Sequence, residues 1–332
     1  MIIGGGFAGL NAALALKDAP AEVTLIDRRN FHLFQPLLYQ VASGALSPAN
    51  IATPLREILR KQRNTRVIMG EVINIDPAFR LVMLADGECV PYDFLVIGAG
   101  ASHSYFGNDS WQSLAPGLKT IEDATEIRQR LLMAFEAAER SHDPAEIRRL
   151  LTFVIVGGGP TGVELAGALG EITRDTLRGN FRTINPADAS IYLVEHAPRV
   201  LPPYAPNLSK KAAEALRELG VQVRTSTLVV DVEPDFVTLR TGDEDAPLET
   251  IPTATVIWAA GVTASPLAKI LAGATGARQD RTGRVFVSPD FSVPGHPQIF
   301  VVGDLAHYEQ DNRVLPGVAP VAMQEGRYVG TL

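Results

Sequence analysis

Apolar residues fall into two kinds of pattern along this chain. Short unbroken runs occur at residues 1–3 (MII), 94–97 (FLVI), 153–156 (FVIV) and 255–258 (TVIW), each followed by glycines or alanines. Such runs lack polar alternation and are too short for helices, so they predict strands buried on both faces of a parallel sheet. The runs VTLID (23–27) and IYLVE (191–195) predict a second strand in each half. Further strands are expected at 66–69, 71–75, 79–84, 221–225, 236–240, 285–287 and 299–302. Helical spacing predicts helices over 8–16, 51–63, 123–140, 160–176, 208–219 and from 320 to the end. Pro202, Pro203 and Pro206 mark a loop, as does the acidic stretch 242–247.

The runs belong to an internal repeat. MIIGGGFAGL (1–10) matches FVIVGGGPTG (153–162), with Gly4 and Gly157 153 positions apart. FLVIGAGA (94–101) matches TVIWAAGV (255–262), which aligns Gly100 with Gly261 and places Gly98 at the start of the first turn. Strand, glycine turn, helix and strand make a βαβ unit, here in two copies. A length of 332 residues also fits about two domains.

Composition removes several function classes. Thirty basic against 37 acidic side chains leave a net charge of −7, which gives no basic face for nucleic acid. One cysteine, Cys89, rules out an internal disulfide, a CxxC pair and a thiolate metal cluster; it reads as a small buried residue. His32, His103, His196, His296 and His307 have no ligand spacing and read as surface or loop residues. No run approaches the ~18 apolar residues of a membrane span, so the chain is expected to lie in the cytosol or on a membrane surface.

The glycine turns carry the chemistry. In Gly4-x-Gly6-x-x-Gly9 the glycines allow a tight turn, close approach of a pyrophosphate, and packing of the helix on the strand. The helix N-terminus then offers free N–H groups to the phosphates. Asp27 ends the next strand 18 positions after Gly9, where a ribose-binding acid is expected. Gly157-x-Gly159-x-x-Gly162 repeats the plan with Glu195, 33 positions on; an elongated helix and loop over 174–189 accounts for the excess. Glu195 would accept from a ribose 2′-hydroxyl and repel a 2′-phosphate, which favours NADH over NADPH. A third strand, IFVV (299–302), delivers Gly303-Asp304, whose carboxylate can accept from a ribitol hydroxyl.

The order of these motifs resembles the two-dinucleotide-binding-domain flavoproteins across nearly the whole chain. The fold class expected is α/β, with two Rossmann-like dinucleotide-binding domains. An NADH domain (116–264) is inserted in an FAD domain (1–115 and 265–332), a glutathione-reductase-like plan without redox cysteines. Within that superfamily, HLFQPLLYQVASGALSPANIATPLREIL (32–59), YDFLVIGAG (92–100), GGGPTGVELAGAL (157–169), VIWAAGV (256–262) and VVGDLAH with LPGVAPVAMQEG (301–307, 315–326) resemble the type II NADH dehydrogenases. These are single-subunit, FAD-dependent NADH:quinone oxidoreductases of the respiratory chain.

The resemblance implies hydride transfer from NADH to FAD, then two electrons to a membrane quinone, without proton pumping. It sets Pro36 and Leu37, in a rigid apolar segment, against the isoalloxazine or the quinone, and aims the helix starting at Pro320-Val321 at the flavin. It gives Glu164, expected as a buried carboxylate in the first turn of its helix, a role near hydride transfer or in proton handling; an acid complementing the helix dipole is the alternative. The family usually has glutamine where Pro320 stands, which leaves Gln324 as the polar candidate near quinone. It also implies a homodimer held on the cytoplasmic face of the cell membrane through a C-terminal segment absent from these residues, since the last helix runs uncapped to Leu332. An NADH-dependent ferredoxin reductase and a flavoprotein like apoptosis-inducing factor are the other readings.

Overall fold

In the computed structural model, which describes residues 1–332, the short apolar runs form the centres of two parallel sheets. The chain divides into two compact units: Met1–Leu33 with Ala52–Ser102 and Val262–Leu332, and Phe34–Ile51 with His103–Gly261.

The sheet of the first unit has six strands in the order Ser292–Val293, His296–Val301, Leu95–Ile97, Ile2–Ile3, Val23–Asp27 and Thr65–Met69. All pairs are parallel except the first, with Ile3 opposite both Ile26 and Ile97. Leu25, Ile26, Leu95, Ile97, Ile299 and Val301 are fully buried, as strands covered on both faces must be. The second unit repeats the core order in four strands: Val221–Arg224, Ser190–Val194, Thr152–Val156 and Thr255–Trp258. Val156 takes the place of Ile3, opposite Val194 and Trp258.

The repeat extends further than its glycine turns. In each unit three antiparallel strands follow the edge strand and precede the strand that returns to the sheet. They are Val72–Asp76, Leu81–Leu84 and Cys89–Pro91 in the first, and Thr227–Val232, Phe236–Thr241 and Leu248–Pro252 in the second. Each insert is bulged in its first strand, at Val72/Asn74 and at Val229/Asp231.

Local chemistry accounts for where elements differ from the sequence pattern. The helix expected over 51–63 is only Leu55–Leu59, because Ala52–Pro54 is extended and pairs with Phe31–Leu33. Proline disfavours helical backbone at the residue before it, so Thr53 cannot open a helix. Pro206 begins the helix Pro206–Glu218 instead of interrupting the chain, and its missing N–H costs nothing in a first turn. The helices Pro144–Leu150 and Pro266–Thr275 also start on proline and were not expected. The helix Ile121–Arg140 is fixed by a capping box between Thr120 and Asp123.

The division into units also differs from the expected boundaries. The breaks lie at 102/103 and 261/262 instead of 115/116 and 264/265, and residues 34–51 pack with the second unit. Their helix Leu38–Ala42 buries Leu38, Val41 and Ala42 and contacts the helices Ile121–Arg140 and Pro160–Glu171. Two expectations fail. Cys89 is exposed, on the outward side of its strand opposite Met83. His307 is buried, with its ring nitrogens against Asp280 Oδ2 at 2.8 Å and Glu309 Oε1 at 3.1 Å.

Candidate cofactor and substrate cradles

Each sheet presents the same turn at the end of its first strand. Gly4 and Gly157 adopt the left-handed region (φ +99° and +108°). A Cβ at Gly4 would lie 2.4 Å from Gly98 O, and one at Gly157 would lie 2.7 Å from the Ala259 carbonyl carbon. The third glycines are tighter still: a Cβ at Gly9 or Gly162 would meet the carbonyl oxygen of Gly4 or Gly157 at 1.8 Å. No side chain fits between strand and helix at these points.

The middle glycines have the opposite property. Gly6 and Gly159 are the N-caps of the helices Phe7–Ala15 and Pro160–Glu171, no side chain caps either, and a Cβ on either would meet nothing within 4 Å. An uncapped helix start with open backbone before it is the shape and the polarity that a pyrophosphate requires. The cradles therefore fit dinucleotides on this structure's own geometry.

The acids close the pattern. Asp27 Oδ2 accepts from Gly5 N at 2.6 Å and Oδ1 from Arg29 N at 2.7 Å. Glu195 Oε2 accepts from Gly158 N at 2.6 Å and Oε1 from Ala197 N at 2.7 Å. Each carboxylate is thus locked to its own glycine turn at the strand end, with lone pairs left for a ribose hydroxyl. The longer spacing before Glu195 is taken up by the π-helical turn Ile172–Thr176 and the loop after it.

Only the first unit adds a third segment. After His296–Val301 the chain turns at Gly303 (φ +72°) into the short 3-10 turn Gly303–Leu305, which presents a partly buried Asp304. The last helix, Ala319–Thr331, begins beside it and packs on Phe7–Ala15. Pro320 is exposed in its first turn, Val321 is partly buried and Gln324 is exposed. Gly100 (φ +69°) has an open surround, whereas a Cβ at Gly261 (φ +70°) would strike the Phe106 ring at 2.4 Å.

Two expectations need correction here. Glu164 stands in the second turn of Pro160–Glu171 and is exposed rather than buried. It lines a cavity of about 350 Å³ with Tyr39, Gln40, Ser43 and Glu171, where partial burial raises its pKa above the ordinary carboxylate value. Pro36 and Leu37 form the 3-10 turn Gln35–Leu37 of the second unit, Pro36 exposed, rather than a part of the first.

One site residue went unread in the sequence. Glu325 is 5% exposed, and its Oε2 accepts from Gly303 N. Burial pushes its carboxyl up, the Gly303 N–H opposes this and the Asp304 charge adds to it, with the result near pH 7. Helical spacing carries the signal, because Ala322, Glu325, Gly326 and Val329 share the buried stripe of their helix.

The pattern of the pyridine nucleotide-disulphide oxidoreductase family matches residues 1–326. The chain is 50% identical, over its full length and 70% of the relative's, to the type II NADH:quinone oxidoreductase NdhA of Mycobacterium tuberculosis. It is 48% identical to Ndh of the same organism, covering 71% of that protein. The chain belongs to the type II NADH:quinone oxidoreductases. Among solved structures, NDH2 from Plasmodium falciparum in complex with NADH superposes with a TM-score of 0.83 at 25% identity, over 92% of this chain and 64% of that one. The disulphide in the wider family's name has no counterpart in this member, whose one cysteine is free and exposed.

Proposed function

We propose that this chain is an NADH:quinone oxidoreductase that holds FAD in its first unit and receives NADH in its second. The observation that carries the reading is the duplicated cradle, with the same uncapped glycine turn locked to its own carboxylate in both units. FAD would be held by the turn from Gly4 to Gly9, by Asp27, by Gly98 and Gly100, and by Gly303-Asp304. NADH would be held by the turn from Gly157 to Gly162, by Glu195 and by Gly261. When bound, the flavin accepts the nicotinamide hydride and passes two electrons to quinone.

The chain's own part is to bind and orient. The N-terminus of Phe7–Ala15 carries the positive end of its dipole toward one pyrophosphate, and that of Pro160–Glu171 toward the other. The start of Ala319–Thr331, at Pro320 and Val321, offers the same polarity to the flavin. Glu195 selects the nicotinamide cofactor by charge: a 2′-phosphate would bring a second anion against a carboxylate already fixed by two N–H groups. Glu164, with its raised pKa, and the exposed Gln324 are the groups proposed to handle protons and the quinone. Pro36 and Leu37 supply apolar surface for the rings. In this reading the protein works peripherally on the cytoplasmic face of the cell membrane, as a homodimer held through a segment outside these residues. No helix here is long and apolar enough to cross a membrane.

Anaerobic mixing tests the proposal. Purified protein should be yellow, NADH should bleach the flavin band, and a short-chain quinone should restore it. A colourless protein would overturn the flavin assignment. Equal bleaching rates with NADPH would overturn the role of Glu195.

A further inference from the structure

Three consecutive residues of the last helix fix two pieces of the first cradle, the Gly303 turn and the helix Phe7–Ala15. Glu325 accepts the N–H of Gly303, at the start of the turn that carries Asp304. Gly326 lets the helix touch Phe7–Ala15, since a Cβ there would lie 2.0 Å from Ala8 O. Arg327 Nε donates at 3.0 Å to Asn11 Oδ1, and Asn11 in turn donates to Phe7 O, at the start of the dinucleotide-binding helix. Gly303 is closely packed between the two helices: a Cβ on it would meet Ala8 Cβ at 3.2 Å and Ala322 Cβ at 3.6 Å.

Resting on the flavin reading above, we infer that Glu325 is a positioning residue of the flavin cradle. It holds the Gly303–Leu305 turn, and so Asp304, in register with both helices. A neutral, shorter residue would leave the Gly303 N–H buried without an acceptor, and the turn would lose its anchor. A hydrophobic contact could hold the helices together but could not orient this N–H.

The choice of a carboxylate adds a charge dependence. The charged group facing Glu325 from the turn is Asp304. Phe7–Ala15 carries no ionisable side chain, and Arg327 is committed to Asn11. The one charge acting on Glu325 from these elements is thus the Asp304 carboxylate, and burial pushes the Glu325 carboxyl up to about 7. A flavin nucleotide brings further negative charge, so its binding favours the protonated carboxyl. By linkage, flavin affinity should fall as pH rises through 7.

Wild type, Glu325→Gln and Glu325→Ala, each stripped of flavin, would be titrated with FAD at pH 6, 7 and 8 by flavin fluorescence. Loss of the acceptor in Glu325→Ala should weaken binding about tenfold at pH 6, the scale of one buried N–H left without a partner, with the gap narrowing toward pH 8 as wild type declines. Glu325→Gln keeps an acceptor for Gly303 and loses the charge. It should bind like wild type at pH 6 and show no decline toward pH 8. Unchanged affinity in Glu325→Ala, or a wild-type pH profile in Glu325→Gln, would overturn the inference. A residue that merely stabilised the fold would give the latter result. If Glu325→Ala does not fold, the Glu325→Gln profile decides alone. Wild-type apoprotein that takes up no FAD would overturn the cradle assignment itself.

Discussion

The two cradles share the same tight glycine turn, with a Cβ on the third glycine 1.8 Å from the first glycine's carbonyl oxygen in both, yet they are not equivalent sites. In the second, two segments meet: the turn from Gly157 to Gly162 and the strand end at Glu195, with Gly261 alongside. In the first, the returning strand His296–Val301 adds the Gly303–Asp304 turn, and Ala319–Thr331 packs behind it. A ligand held by more chain segments and backed by a buried carboxyl suits a resident cofactor. A ligand held by fewer segments can exchange at every turnover. On the proposed reading the same motif serves a permanent and a transient dinucleotide, and what differs is the structure added around it. Phe106, at φ +53° and 69% exposed, lies against Gly261 in the second unit, while Gly100 in the first stands open.

The largest test of this contrast is to fill the tight glycines. Gly9→Ala and Gly162→Ala each drive a methyl to 1.8 Å from a carbonyl oxygen, at the upper end of or beyond the ~1–3 kcal/mol of ordinary overpacking. Gly9→Ala should purify without flavin. Gly162→Ala should keep its flavin and lose NADH reduction in single-turnover mixing. Flavin lost equally from both would break the assignment of cofactors to units.

The buried carboxyl distinguishes the units next. Free glutamate ionises near its ordinary value of 4.5, whereas Glu325 in the folded protein does so near 7. Between these values the folded state holds the extra proton, so Glu325 makes stability fall as pH rises, by up to about 3 kcal/mol. Glu325→Gln should flatten this part of the stability profile between pH 4.5 and 7 and be the more stable form at pH 8 in denaturant titrations. A wild-type slope in the variant would remove Glu325 from the account.

Charge selection at the second cradle is a smaller effect. Glu195→Gln keeps the Gly158 N–H acceptor and removes the repulsion of a 2′-phosphate. The ratio of kcat/KM for NADH over NADPH should narrow by about tenfold. Asp27→Gln would not be its counterpart, and Asp27→Asn should leave that ratio unchanged, since it touches the other nucleotide.

The smallest expected difference lies at the far turns. Gly100→Ala adds a methyl in open space and should cost only the left-handed backbone penalty, about 1–2 kcal/mol. Gly261→Ala must also displace the Phe106 ring, so it should cost more, and Phe106→Ala should recover the difference in a double-mutant cycle. Equal costs at both glycines would show that Phe106 yields freely.

The sequence by itself determined the duplicated cradles. A glycine that must turn left-handed, a glycine that must admit a helix, and an acid that ends the next strand are local requirements, so Gly4, Gly9, Asp27, Gly157, Gly162 and Glu195 were all legible from spacing. The same locality placed Gly303-Asp304 in a turn after its strand. Tertiary structure decided what spacing could not reach. Residues 34–51 follow Asp27 directly, yet their apolar face finds its partners on the helices Ile121–Arg140 and Pro160–Glu171, so Pro36 and Leu37 belong to the second unit. Glu164 and Glu325 are both glutamates on helices next to glycine turns. One is exposed beside a cavity and the other is sealed under Gly303. Burial depends on which helix packs against which face, and that is fixed by contacts some 300 residues apart, such as Arg327 with Asn11 (316 positions). The exposure of Cys89 was settled the same way, since its sheet is covered by the distant helix Pro266–Thr275 on the other face; His307 is buried among nearer neighbours, Asp280, Phe286 and Glu309.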